Sequence, residues 1–94
     1  MSLKDLKAEA EAAKRKITRS LFKLYLAQRA RGDEGNATKA ARERRQTVKA
    51  IAKSIGHWPM ADDVTTWTGR EFELPEREEI TADFERLKQT RARG

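Results

Sequence analysis

Lys39, Arg42, Arg45, Lys49 and Lys53 recur at spacings of three, three, four and four. At about 100° per residue, that spacing gathers them on an arc of roughly 120° of one helix, beside an apolar stripe. Arg15, Lys16, Arg19 and Lys23 form a comparable set upstream. The chemistry open to such rows is electrostatic, with lysine and arginine held against phosphate oxygens and the counterions condensed there released. Side by side, the two helices are expected to offer about eight cations along about 30 Å. The competing reading of each row is a solvated helix face, neutralised in part by Glu43 and by the acidic C-terminal segment.

Little else in the chain suits covalent or acid–base chemistry. His57 is the sole histidine, cysteine is absent, and no second ligand stands at metal-binding spacing. A histidine just after a helix is expected to cap its C-terminus. Ser54 has no triad context, and no glycine-rich loop is present to cradle phosphate. Asp62 and Asp63 are adjacent, so they diverge on either a helix or a strand and are expected to cap an element rather than share a substrate. No catalytic residue, metal or cofactor is expected. Trp58 and Trp67 are candidates for stacking on bases or gripping a protein partner, against the plainer reading that they fill the core of a small domain.

These residues need a scaffold, and composition restricts its kind. Of 94 residues, 37% are hydrophobic and 38% charged, against usual values of roughly 45–50% and 25%. Such a chain has a thin core and much solvated helix surface. Charge is divided unevenly: residues 1–57 hold 15 Lys and Arg against 6 Asp and Glu, whereas residues 58–94 hold 6 against 9. The basic part is suited to face a polyanion, and the rest to another role or to folding back as a partial counter-charge. With no signal-peptide pattern, no run of 18 apolar residues and no cysteine, a cytoplasmic, non-membrane protein is expected.

The elements follow from periodicity. Leu3, Leu6, Ala10, Ala13, Ile17, Leu24 and Ala27 keep three-and-four spacing, broken at Ser20, and predict a long amphipathic helix over 3–31. Ser2 and Asp5 have capping-box spacing, and Gly32 is the stop. That heptad seam suits either a homodimer through the N-terminal helix or packing within its own chain. GDEGN at 32–36 is a turn, with Asn36 as cap of a second helix ending at Gly56. So short a link predicts an antiparallel hairpin, in which Ala41, Val48, Ile51, Ala52 and Ile55 meet Ile17, Leu21 and Leu24.

Residues 58–75 carry both tryptophans and both prolines and are expected to be irregular with short elements. VTTW and EFEL alternate like short strands, although Val64–Trp67 equally fits a helical turn. Pro75 with Glu76, Glu78 and Glu79 starts a C-terminal helix, striped by Ile80, Phe84 and Leu87, and Thr90–Gly94 is expected to be a frayed basic tail. The expected fold is all-α: a basic helical hairpin at 1–57, the tryptophan-bearing segment at 58–75, and a helix with its tail at 76–94.

IAKSIGHWPMADDVTTWTGRE, at 51–71, resembles the helix-turn-helix of bacterial and phage DNA-binding proteins. Ile51, Ala52, Ile55 and Gly56 match its first half; Val64 and Trp67 match its second if the turn is two residues longer than usual. The resemblance implies a recognition helix that carries Asp62 and Asp63 into the groove beside phosphates, which is electrostatically poor. Residues 17–55, with LFKL at 21–24, Gly32, Asn36 and the pair Arg44 and Arg45, resemble the ribosomal large-subunit protein that folds as a two-helix hairpin near the peptide exit tunnel. That resemblance implies ribosomal RNA binding, but residues 58–94 have no counterpart in it. TWTG at 66–69 with Pro75 resembles the DNA-binding end of bacterial nucleoid-structuring proteins, minus their basic glycine-rich insert, which REFEL replaces.

The expected function is nucleic-acid binding by a bacterial, phage or plasmid accessory protein, with DNA favoured over RNA. The alternative is a helical interaction module acting as inhibitor, adaptor or assembly factor.

Overall fold

A computed structural model describes residues 2–32 and 37–89. It contains α1 (Leu3–Arg31), α2 (Ala37–Ile55), α3 (Ala61–Thr68) and α4 (Leu74–Gln89), with no strand among the described residues. The fold is all-α, and the hairpin is formed by α1 and α2.

The limits of α1 are set by its ends. Ser2 Oγ accepts from the Asp5 backbone N–H and the Asp5 carboxylate accepts from that of Ser2, closing the expected capping box. At the far end the Gly32 N–H bonds the Arg29 carbonyl. The expected Asn36 cap, the turn at 33–36 and the Thr90–Gly94 tail lie outside the described residues. Gly56, at φ 86°, closes α2 by donating to the Ala52 carbonyl, and Gly69, at φ 73°, closes α3 on the Thr65 carbonyl. Both occupy the left-handed region that a side chain would strain.

Between these glycines the segment is more regular than expected. Val64–Trp67 lies within α3, and EFEL forms no strand: residues 70–73 have no regular structure and Leu74 opens α4. The Glu73 carbonyl accepts from the Arg77 N–H, so α4 starts just before Pro75, whose missing N–H costs nothing in a first turn.

One core joins all four helices. It is built on Phe22 and Tyr25 of α1, Val48 and Ile51 of α2, Val64 of α3, and Ile80, Phe84 and Leu87 of α4. The expected face of α2 holds, because Ala41, Ala52 and Ile55 border its buried residues. Of the expected face of α1 only Leu21 packs on the core: Ile17 is 61% and Leu24 44% exposed, while Thr18, Phe22 and Tyr25 are buried. Burial of two aromatic side chains, each carrying roughly 150–250 Å², outweighs burial of one Ile and one Leu, and α1 is turned accordingly. The three-and-four count over Leu, Ile and Ala passed beside the residues that fill the core.

The hairpin is packed over only part of its length. Every residue from Ser2 to Ile17 is exposed, so the first half of α1 projects from the body as an arm.

Candidate nucleic-acid interface

The rotation of each helix, fixed by its contacts, decides where the expected cations stand. Thr18 Oγ1 meets Ser54 Oγ across the seam between α1 and α2. Counting about 100° per residue from Thr18, Arg19, Lys23 and Lys16 lie roughly 100–160° away, and Arg15 about 60°. Counting from Ser54, Arg42, Lys53, Lys49 and Arg45 lie roughly 100–180° away, and Lys39 about 60°. Apart from Arg15 and Lys39, which stand nearer the seam, each row thus faces away from the other helix. The structure places the cations on two opposite edges of the hairpin, not on the single surface of about eight expected from side-by-side helices.

Most of these cations lack a carboxylate partner. Arg15, Lys16, Arg19, Lys23, Arg42, Lys49 and Lys53 are exposed, and among the described residues none has a carboxylate within salt-bridge distance. Lys39 is exposed at the start of α2. Arg45 is half-buried, its Nε donating to the Leu87 carbonyl at 3.2 Å, which anchors the α2 row to α4.

The carboxylates expected to neutralise these rows are engaged elsewhere. Glu43 lies 4.0 Å from Arg31, Glu76 2.9 Å from Arg70 and Glu79 3.6 Å from Arg29, while Asp62 pairs with Arg77. The C-terminal carboxylates that are paired meet arginines of the body, not the exposed cations of the helix rows.

The most connected of these carboxylates is Asp83, with 0% of its surface exposed. Its Oδ2 accepts from Tyr25 Oη at 2.7 Å and Arg44 Nε at 3.1 Å. Its Oδ1 accepts from Arg86 Nη2 at 2.8 Å and Arg44 Nη2 at 3.3 Å. Arg29 adds a cation 3.7 Å away. Burial pushes the carboxyl up, but the hydrogen bonds from Arg86, Tyr25 and Arg44 outweigh it and hold Asp83 below the usual carboxylate range. Burial first, and then the bond to Asp83, push the Tyr25 phenol above the usual tyrosine range. No motif marks this cluster, but its signal is in the sequence: Asp83 stands within the stripe Ile80, Phe84 and Leu87, and Arg44 precedes Val48 by one helical turn. A charge on a core face demands a partner on another core face.

Both tryptophans are half-buried against the core. The Trp67 ring stacks on Phe22 with centroids 6.1 Å apart, and Trp58 Nε1 donates to the Phe84 carbonyl at 2.9 Å. What remains of either for a partner is an outer edge.

His57 has the carboxylate partner that its sequence neighbours did not reveal, because the turn brings Asp63 Oδ2 within 3.2 Å of its Nε2. Asp63 also accepts from the Met60 N–H at 2.8 Å and so caps α3. In the stretch resembling a helix-turn-helix, α2 and α3 are separated by residues 56–60, and α3 packs on α1 and α4. Among the described residues, no three His, Asp or Glu side chains converge on one point. An open cleft of about 580 Å³ beside Leu26, Phe72 and Glu76 is edged by Arg29 and Arg70, each already paired with a glutamate. No helix is long and apolar enough to cross a membrane among the described residues.

In comparisons with known proteins, the chain matches no family model, no curated protein and no solved structure.

Proposed function

We propose that this chain is a nucleic-acid-binding accessory protein that grips the phosphate backbone, chiefly with the α2 row of Arg42, Arg45, Lys49 and Lys53. One observation carries the reading: Asp62, Glu76, Glu79 and Asp83 pair with arginines of the body, yet Arg15, Lys16, Arg19, Lys23, Arg42, Lys49 and Lys53 are exposed with no carboxylate within salt-bridge distance among the described residues. Clustered, uncompensated cations repel one another, and a bound polyanion relieves that repulsion. The α2 row is preferred because Arg45 is anchored to α4, whereas Lys16 and Lys23 border the exposed apolar stripe of α1.

A duplex fits better than a single strand. Base stacking needs exposed rings, and Phe22, Tyr25 and Phe84 are buried while Trp58 and Trp67 are packed within the chain. DNA is favoured over RNA, and no catalytic role is assigned. Backbone contacts of this kind position a protein without reading sequence.

The test is a salt titration of binding to duplex DNA, single strands and structured RNA. With about four phosphates engaged, log K falls with log salt at a slope of about −3 to −4. A flat response, or no binding to any polynucleotide at low salt, defeats the proposal. A second reading, a helical interaction module, is favoured by the exposed Leu24 and Ile17. It requires that Lys49→Glu with Lys53→Glu leave function intact while Leu24→Asp abolishes it.

A further inference from the structure

The arm of α1 carries an apolar stripe that no described residue covers. Leu3 is 77% and Leu6 48% exposed, and the stripe continues through Ala10, Ala13, Ile17 and Leu24, all exposed. Its spacing is that of a heptad with Leu3, Ala10, Ile17 and Leu24 at a, and Leu6, Ala13, Ser20 and Ala27 at d. A helical arm of this length without tertiary cover is marginal in water, and coiled-coil pairing supplies the missing cover.

We propose that α1 pairs with α1 of a second copy of this chain as a parallel, in-register coiled coil along this stripe. Charge selects the occupant and its direction. In the parallel pair Glu9, at g, faces the second copy's Lys14, at e, twice over, and Lys16 faces Leu21; no like charges meet at these positions. The antiparallel alternative that sets Leu6 on Leu24 also brings Glu9 to Lys23 twice, but it opposes Lys14 to Lys14 and Lys16 to Lys16, which the parallel pair avoids. Like charges placed directly opposite disfavour it.

The area suits a weak pair. A 29-residue helix offers a seam about 40 Å long and about 10 Å wide. Going round α1 from Phe22, which faces Trp67 of α3, the order is Thr18, Leu21, Ile17, Leu24; the stripe therefore begins where the α2 seam ends, on the side away from α3. A second helix lying there also touches α2, near the exposed Ala50. The seam counted on both copies gives roughly 800 Å², and the contact with α2 adds to it, an area of the size that weak, concentration-dependent pairs bury. The alanine and serine layers keep the pair weak and concentration-dependent.

This inference stands apart from nucleic-acid binding, and its test uses the full chain with no polynucleotide present. Sedimentation across a concentration series is expected to rise from 10.8 kDa towards twice that mass. Leu6→Asp with Ile17→Asp should hold the chain at the monomer mass with an unchanged thermal midpoint at low concentration, since both side chains are exposed in the monomer. The chain has no cysteine, so Ser20→Cys reports direction directly. Facing d positions of a parallel pair lie within disulfide reach, and air oxidation should link Ser20→Cys chains to one another. A monomer at every concentration overturns the proposal. Linkage of Ala10→Cys to Ser20→Cys chains in place of Ser20→Cys to itself overturns the parallel arrangement.

Discussion

The hydroxyl of Tyr25 and the carboxylate of Asp83, 58 residues apart in the chain, meet at 2.7 Å in the middle of the fold. The bond ties α1 to α4, and Arg44, 4% exposed, brings α2 to the same carboxylate. Three helices are thus registered on one buried charge. Its desolvation is offset only because both of its oxygens are occupied, which makes the cluster intolerant of partial loss.

Replacement of Asp83 by Asn is expected to be severe. It leaves the Arg44 guanidinium buried without its counter-charge, a loss of about 3–5 kcal/mol by analogy with broken buried pairs. In a domain whose whole stability is on the order of 5–15 kcal/mol, urea unfolding would show most of it gone. Asp83→Asn combined with Arg44→Met should recover part of the loss, since the orphaned charge leaves with its partner. A single-variant loss under about 1 kcal/mol would show that the cluster is not an organising element.

The same cluster fixes how stability depends on pH. Asp83 titrates below the usual carboxylate range when folded, so its contribution is complete above an unfolded value of about 4 and is lost as pH falls through the folded one. Tyr25 has the opposite sign. Its phenol is raised by burial, so its contribution is complete below about pH 10 and declines above that. Thermal midpoints measured against pH should fall at both extremes, and Tyr25→Phe should flatten the alkaline limb. Because Tyr25 is the only tyrosine, phenolate absorbance should appear together with unfolding and not before it.

How far these features were legible in the sequence depends on which forces act locally. Both ends of α1 and the C-terminal end of α2 could be read because Ser2, Asp5, Gly32 and Gly56 act through the backbone within a few residues. The face that α1 buries could not, because it is set by what packs on it from afar: Trp67 against Phe22 and Asp83 against Tyr25. Of the candidate site, the cation rows were visible as spacing, but their placement on opposite edges follows from the seam through Thr18 and Ser54. The pairing of His57 with Asp63 required the path of the turn.

That turned face gives a contrast between neighbours. Phe22→Ala removes a fully buried ring that stacks on Trp67, and should cost about 3–5 kcal/mol. Ile17→Ala, at a position with the stronger claim by heptad spacing, trims an exposed side chain and should stay within about 0.5 kcal/mol at concentrations where the chain is monomeric. Denaturant midpoints of the two variants, measured side by side, decide it, and equal losses would mean that α1 is rotated back to its heptad face.

Opposite edges also separate the effects of charge reversal. A straight duplex segment lying along one edge of the hairpin does not reach the other, so the α2 and α1 rows should not act as one surface. Lys49→Glu with Lys53→Glu removes two phosphate contacts and should reduce the salt slope by about 2, weakening binding uniformly across sequences. Arg19→Glu with Lys23→Glu reverses as many charges on the far edge, so that it shares the change in net charge but not the lost contacts. Its salt slope should stay near that of the unmodified chain, leaving only a modest loss of affinity from the altered long-range field. Equal drops in slope for the two pairs would mean that both rows engage one polyanion, and that the nucleic acid bends or folds around the hairpin to reach them.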